Sequence, residues 1–359
     1  MEEEAPREPG YFKGRGSQIN PHNRFFKQEY VQEHIEGIDI PFLQSEKTEI
    51  IYTHPKTIIN KITSPDLAGM YSMNPYQGCE HGCIYCYARN AHEYWGFSAG
   101  LDFERKIIVK QEAAEILAKE LSNPKWIPQP IMLSGNTDCY QPLEKRFGIT
   151  RKMLEVLLKF KHPVSIISKN QLIRRDIDIL KEMAKLNIVH VMISITGLDE
   201  SLRLKLEPRT ATYRQRLETV RELAEAKIPV GVMTAPIIPG LNSHEIPEII
   251  KAAGEAGART AGYTIVRLNG AIGGIFKDWL FKNFPDRADK VWHHIENVHG
   301  GQVNDSRFGT RMSGEGPMAE SIRMMHKMAR EKYLPKKDDF EFDLSHYDHR
   351  AGDAQLSLF

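Results

Sequence analysis

From about residue 70 onwards, short runs rich in β-branched residues alternate with stretches of helical periodicity, and this alternation limits the folds open to the chain more than any other feature. The runs are 130–134 (PIMLS), 164–168 (VSIIS), 189–195 (VHVMISI), 230–234 (VGVMT) and 263–268 (YTIVRL). Helical stretches at 150–161, 176–186, 212–226 and 246–256 lie between them. This order predicts βαβ units on a parallel sheet covered on both faces. A further strand near 70–74 brings the count to six units over about 200 residues. Six are too few to close an eight-stranded barrel, so the expected fold is α/β, a partial (β/α)6, TIM-like barrel. Its chemistry then belongs on the loops at the carboxyl ends of the strands.

The flanks read differently. Residues 1–65 are rich in Gly, Pro, Asn and charge, with one apolar stretch at 57–62, and are expected to form an arm around a core spanning 66–278. Beyond it the strand signal fades into a helical C-terminal extension, 279–350, whose last amphipathic helix covers about 315–333. Residues 351–359 read as a flexible tail. No internal repeat or low-complexity tract interrupts this plan.

With 359 residues, 41% of them apolar, the chain can bury a full core. Its 48 basic and 47 acidic side chains leave a net charge of +1, so nucleic-acid binding needs a local patch. Arg323, His326, Lys327, Arg330, Lys332, Lys336 and Lys337 form one candidate, and a solvated helix face is the competing reading. There is no run of eighteen apolar residues, and the opening MEEEAPREPGYFKGRG is acidic and polar. Neither a secretory leader nor a membrane partner is therefore expected, and the cytoplasm is the expected compartment.

Three of the four cysteines fall within GCEHGCIYCYAR, at Cys79, Cys83 and Cys86, directly after the first expected strand. Clustered cysteines in a chain of this kind signal a metal or redox site rather than a disulfide framework. A zinc site needs a fourth ligand, which His81 or His92 could supply. A [4Fe-4S] cube held by three thiolates instead leaves one iron open to a substrate or cofactor.

The Cys79-x3-Cys83-x-Tyr85-Cys86 pattern on a post-strand loop resembles that of the radical S-adenosylmethionine superfamily. The resemblance implies a [4Fe-4S] cluster, S-adenosylmethionine chelated to the open iron, reductive cleavage of that cofactor, and hydrogen abstraction by a 5'-deoxyadenosyl radical. It also implies an electron donor such as flavodoxin or ferredoxin. Tyr85 matches the aromatic position beside the adenine, or else is a packing tyrosine. The Gly-Gly-Glu type segment after the second strand is replaced here by 134–138 (SGNTD), leaving Ser134, Asn136 or Asp138 to receive the cofactor's amino group. Lys169 could pair with the methionyl carboxylate, and Ser194 and Thr196 with ribose or carboxylate. Arg209 would be a further polar contact. Ala235 lies in the segment 234–242 (TAPIIPGLN), which resembles the adenine-contacting turn. For Lys169 and Arg209 the alternative is a solvated surface cation.

Within the superfamily the segments NPYQGCEHGCIYCYAR, TDCYQP, SKN and TAPIIPGLN look most like the branch of spore photoproduct lyase and DNA repair photolyase-like proteins. That implies a DNA or RNA substrate and a hydrogen-donating role for Cys139. An inert buried thiol is the other reading, since the spacing of Cys139 does not match the lyase's. Segment 87–103 mixes Arg89, His92, Tyr94 and Trp95, a combination suited to stacking on bases or to ordinary loop packing. The terminal Gln355-Leu356-Ser357-Leu358-Phe359 resembles the motif that docks on the bacterial DNA sliding clamp, with Leu358 and Phe359 entering an apolar pocket and Gln355 as amide anchor. Radical modification of RNA, a peptide or a small metabolite is the alternative function. A non-catalytic metal-binding module tethered to the clamp is the alternative of another class.

Overall fold

The computed structural model describes residues 12–26, 47–67, 71–335 and 340–356. They contain ten strands: β1 (Glu49–Tyr52), β2 (Asn60–Lys61), β3 (Tyr71–Met73), β4 (Tyr76–Gln77), β5 (Lys106–Val109), β6 (Ile131–Leu133), β7 (Val164–Ser168), β8 (Val189–Ser194), β9 (Val230–Ile237) and β10 (Ala261–Ile265). A seven-stranded sheet has the order β10-β9-β8-β7-β6-β3-β2. Every neighbouring pair in it is parallel except β2 with β3. Six parallel strands in sequential order are the partial barrel that the alternation predicts. No closed barrel forms among the described residues.

The register stacks apolar side chains across the strands. Val164 lies opposite Val189, Val191 opposite Val230, and Ile193 opposite Val232, and all of these are buried. Polar residues come at the carboxyl ends: Ser168 closes β7 and Ser194 closes β8, both buried. A strand's last positions therefore carry the groups that can face a ligand.

Between and after the strands come α1 (Arg89–His92), α2 (Leu101–Arg105), α3 (Ala113–Leu121), α4 (Glu144–Phe147), α5 (Ile149–Lys159), α6 (Ile177–Lys185), α7 (Glu200–Leu206), α8 (Tyr213–Glu225), α9 (Ile246–Glu255), α10 (Ile272–Asn283), α11 (Ala288–Val298) and α12 (Gly316–Tyr333). Sequence sets the start of α8 sharply. Thr212 Oγ1 accepts from Gln215 N at 3.2 Å while Gln215 Oε1 accepts from Thr212 N at 3.0 Å, a reciprocal cap that satisfies two otherwise orphaned donors. The final helix, α12, packs on α9.

Several elements differ from the sequence expectation. The arm carries β1, which pairs in parallel with β5, while β4 pairs antiparallel to β5, forming a second, three-stranded sheet. Its short EIIY and KIIV runs, 54 or more residues apart, find partners only through the tertiary fold. The run at 263–268 leaves the sheet after Ile265, earlier than its composition suggests. From Ile265 on its backbone also pairs with the C-terminal extension, through Ile265 N to Met312 O (2.9 Å) and Leu268 N to Val303 O (3.0 Å), while Val266 N still donates to Ile237 O of β9 (2.9 Å). This same segment reaches back to the junction of arm and core: Asp66 accepts from Gly309 N at 2.9 Å and pairs with the Arg311 guanidinium. The side chains of Gln355 and Leu356, together with Leu358 and Phe359, lie outside the described residues. Among the described residues, no helix is long and apolar enough to cross a membrane.

Candidate active site

The cysteine loop follows β4 and is shaped by glycines where side chains cannot fit. At Gly78 (φ +78°) a Cβ would lie 2.9 Å from Lys106 O and 3.0 Å from Phe103 O, and at Gly82 (φ +67°) 2.8 Å from Glu104 Oε2. Cys79 N donates to Phe103 O at 2.9 Å. Gln141, fully buried, grips the loop on both sides of Cys79: its Nε2 donates to Gly78 O at 3.2 Å and its Oε1 accepts from Glu80 N at 3.0 Å. Arg89 holds the next ligand by donating to Cys83 O through Nε (3.1 Å) and Nη2 (2.9 Å). Its Nη2 also meets Glu104 Oε1 at 2.5 Å in a pair with no exposed surface. Glu104 is completed by Gly16 N (3.0 Å) and Ser17 N (2.8 Å) from the arm.

All four cysteines are free. Burial raises the pKa of Cys79, and Asp138 and the thiols of Cys83 and Cys86 raise it further. Burial likewise pushes Cys83 up. For Cys86 burial dominates, partly offset by Arg89. Three thiols that disfavour one another's ionisation suit a bound cationic centre, which holds each as thiolate. Among the described residues no three His, Cys, Asp or Glu side chains converge on a single ion, and a cube taking one thiolate per iron requires no such convergence. His81 is engaged elsewhere. Its Nδ1 lies 3.4 Å from Asp138 Oδ2 and its Nε2 3.1 Å from Asn170 Nδ2. The donor set therefore fits a three-cysteine cluster better than a Cys3His zinc site.

Asp138 is the hub of the strand-end groups. Its Oδ1 accepts from Ser168 Oγ and Tyr140 N (both 2.9 Å) and its Oδ2 from Lys169 N (2.8 Å). Lys169 Nζ stands 5.9 Å from the centre of the Tyr85 ring. The Tyr85 hydroxyl donates to Glu207, which also accepts from Thr196 Oγ1 at 3.0 Å and pairs with Arg216. Burial alone would raise the Glu207 pKa, but Arg216 and Lys169 outweigh it and bring it to about 2. Glu207 and Arg216 are both fully buried and paired, so the carboxylate stays ionised behind the Tyr85 hydroxyl, its charge met by the guanidinium.

The other expected residues are placed as follows. Ser134 sits in the left-handed region (φ 81°), and its Oγ accepts from Cys139 N at 2.8 Å. Asn136 N and Thr137 N both donate to Asn74 Oδ1, at 3.0 and 3.1 Å. The Ser194 carbonyl accepts from Arg216 Nη1 at 3.0 Å. Ala235 lies within β9, and Asn242 clips the following turn by donating to Thr196 O (2.7 Å) and Pro236 O (3.1 Å). Arg209 stands on the outer side of the cysteine loop: its N donates to His81 O (3.2 Å) and its Nη1 is 3.6 Å from Glu80 Oε1. Cys139 is fully buried in the main core, its carbonyl accepting from Thr150 Oγ1 at 2.7 Å.

Within 87–103, Arg89 and His92 are buried parts of the scaffold, not surface groups. The exposed aromatics are Tyr87, Tyr94 and Trp95, joined by Phe25 and Phe26 from the arm. Phe25 and Tyr94 have ring centres 4.8 Å apart, and the Arg24 guanidinium lies 4.9 Å from Phe25 and 5.8 Å from Tyr94. The Tyr87 hydroxyl donates to Gly135 O, bridging the cysteine loop and the loop after β6. Sequence reasoning missed Gln141, Glu104, Glu207 and Arg216. Gln141 lies within the quoted TDCYQP segment without being singled out, and Glu207 is a carboxylate two positions before the singled-out Arg209.

Residues 73–253 match the family model described as the Radical SAM superfamily. An uncharacterized protein of Mycobacterium tuberculosis is 33% identical over 240 residues, covering 66% of this chain and 70% of that one. An uncharacterized protein of Methanocaldococcus jannaschii is 29% identical over 247 residues, covering 69% and 88%. Among solved structures, a point mutant of spore photoproduct lyase superposes with a TM-score of 0.61 at 14% identity, covering 87% of this chain and 89% of that one. A second mutant of that lyase, with bound dinucleoside spore photoproduct, gives 0.58 at 14% identity, covering 80% of each chain.

Proposed function

The chain belongs to the radical S-adenosylmethionine superfamily, an enzyme with a [4Fe-4S] cluster and S-adenosylmethionine as cofactors, and from that premise we propose that its substrate is a nucleic acid. When bound, the cluster and cofactor supply a 5'-deoxyadenosyl radical for hydrogen abstraction. Cys79, Cys83 and Cys86 would hold three irons and leave the fourth to the cofactor. Tyr85, pinned through its hydroxyl by Glu207, and Lys169, whose backbone Asp138 fixes, would orient that cofactor. Ser134, Asn136, Ser194 and the turn after Ala235 would furnish the remaining polar contacts. Arg209 would act from outside the loop, through Glu80.

The observation that carries the nucleic-acid reading is the exposed group of Arg24, Phe25, Phe26, Tyr94 and Trp95. Aromatic faces interleaved with a guanidinium stack on bases at about 1–3 kcal/mol per base. The fold likeness to spore photoproduct lyase, extending well beyond the family-model segment, supports DNA repair as the specific form. Oligonucleotides deuterated at candidate positions, incubated anaerobically with reconstituted enzyme, should transfer deuterium into 5'-deoxyadenosine. Absence of transfer from every DNA and RNA tested would move the reading to a peptide or small metabolite.

We further propose that the protein works in the cytoplasm and that Gln355, Leu356, Leu358 and Phe359 dock it on the DNA sliding clamp. The match of these residues to the clamp-binding pattern supports this. Deleting 355–359 should abolish co-purification with the clamp, and persistence of that contact would overturn it.

A further inference from the structure

A cavity of about 420 Å³ opens between α7, the turn that follows β9 and the corner joining α10 to α11. Clefts for small ligands span about 300–1,000 Å³, so this one has room for a ligand group. Two residues of its lining, Leu202 and Leu241, belong to the buried cluster that also holds Ile84 and Tyr85 of the cysteine loop. Ile84 N donates to Leu206 O at 3.0 Å, tying the end of α7 to that loop. The cavity is therefore anchored at the carboxyl ends of β8 and β9, the same end of the barrel as Tyr85, Lys169 and Ser194.

Two cations in its wall converge on one ring. Lys205 Nζ lies 4.4 Å, and the Arg287 guanidinium 4.6 Å, from the centre of Phe284. Attraction to the ring holds each charge in place without neutralising it. Lys205 Nζ also contacts Asn283 O at 3.4 Å. Among the described residues neither cation has a carboxylate within ion-pair distance. The carboxylates that line the cavity serve the backbone instead: Asp199 Oδ1 accepts from Ser201 N at 2.8 Å, and Glu245 Oε2 from Leu198 N at 2.5 Å and Asp199 N at 3.3 Å. The Ser201 hydrogen bond chiefly keeps Asp199 below the ordinary carboxylate range, with Lys205 a smaller influence. Two positive charges thus face the cavity with donors to spare.

We propose that Lys205 and Arg287 form a subsite for the phosphodiester backbone of a polynucleotide substrate, seating the strand on the β8–β9 side of the mouth. Lys205 would meet the phosphate oxygens as a point charge and Arg287 through its planar fork of N–H donors. Neither contact reads a base, so the subsite positions the strand without selecting its sequence. The inference rests on the nucleic-acid reading and adds to it a foothold supplied by α7 and the α10–α11 corner rather than by the arm.

The test is fluorescence anisotropy of a labelled single-stranded oligonucleotide with the reconstituted full chain, repeated over a series of salt concentrations. Lys205→Gln and Arg287→Gln should each weaken binding and lower the slope of log K against log salt by about 0.7, and the double variant by both amounts. Lys205→Arg keeps the charge and should keep the slope, which separates a lost phosphate contact from a disturbed fold. Lys282→Gln removes a cation of the same corner that is already paired with Asp278 at 2.8 Å, and should leave the slope as it is. Unchanged slopes in Lys205→Gln and Arg287→Gln, beside a wild type that binds the oligonucleotide, would overturn this inference and leave the substrate reading standing. An equal fall in Lys282→Gln would also overturn it, since diffuse surface charge would then account for the effect. Binding of inorganic phosphate that the double variant loses, with an unchanged oligonucleotide slope, would make this a site for free phosphate and overturn the polynucleotide. A wild type that binds no oligonucleotide would remove the inference together with the reading beneath it.

Discussion

Arg89 and Glu104 form an ion pair with no exposed surface on either side chain, and the same guanidinium carries the carbonyl of the cluster ligand Cys83. A buried pair is expensive to assemble, but removing one partner strands the other charge in the interior at about 3–5 kcal/mol. Arg89→Leu is therefore expected to lower the melting temperature and to yield protein that binds less iron after reconstitution. Iron quantification beside thermal denaturation checks both effects.

Gln141 braces Cys79 from two directions. Truncation in Gln141→Ala leaves one buried donor and one buried acceptor without partners, costing about 1–3 kcal/mol for each group. Since those groups belong to the loop itself, the cluster should be extracted faster by a chelator and its EPR signal should broaden. A variant with wild-type extraction kinetics would show that the other loop contacts suffice.

Gly16 has no room for a side chain against Gly82 O. The obstruction is backbone, so Gly16→Ala should lift the arm rather than merely rotate a neighbour. Limited proteolysis should then cut within residues 12–26, and air should bleach the cluster sooner. An arm as resistant as in the wild type would place its anchorage elsewhere.

His162 is fully buried, accepts from Trp126 Nε1 at 3.0 Å, and has Nδ1 3.0 Å from Pro163 O, the pattern of a neutral ring. Burial lowers its pKa to about 4. The folded value lies below the unfolded one near 6.5, so its contribution is complete above about pH 6.5 and is lost as the pH falls towards 4, amounting to about 3 kcal/mol. His81, His92 and His326 are depressed to about 4 in the same way, burial again the main cause, so denaturant titrations at pH 7 and pH 4.5 should show a larger loss in the wild type, and His162→Gln should reduce it without abolishing it.

Cys139 is enclosed on all sides, its neighbours including Ser134 and Thr150. Cys139→Ala is expected to leave the product distribution unchanged and to cost little stability. Radical-coupling by-products appearing in the variant would instead give Cys139 the role of hydrogen donor.

The parts of this molecule legible in its sequence are those encoded locally. The six parallel strands follow from period and composition, and the three ligands from spacing within one loop. Lys169 and Ser194 could be singled out because strand ends are recognisable positions. What was not legible depends on contacts between distant residues. Tyr85 meets Glu207 across 122 positions, and Gln141 reaches Glu80 across 61. Neither residue type carries a pattern that names its partner. Arg89 shows a related failure: an arginine beside aromatics resembles a surface binding group, yet here it is consumed by carbonyls and a carboxylate inside the protein.

The contact between Asp66 and Arg311 has a practical meaning for dissection of this enzyme. The family-model segment ends at residue 253 and begins at residue 73, so a fragment trimmed to those limits retains neither member of the clasp. It also lacks β10 and the 303–312 strip that lies along that strand's end. The last parallel strand and the fastening between the two flanks are supplied by chain outside the segment that defines the family, so the smallest autonomous piece of this catalyst is larger than its signature domain.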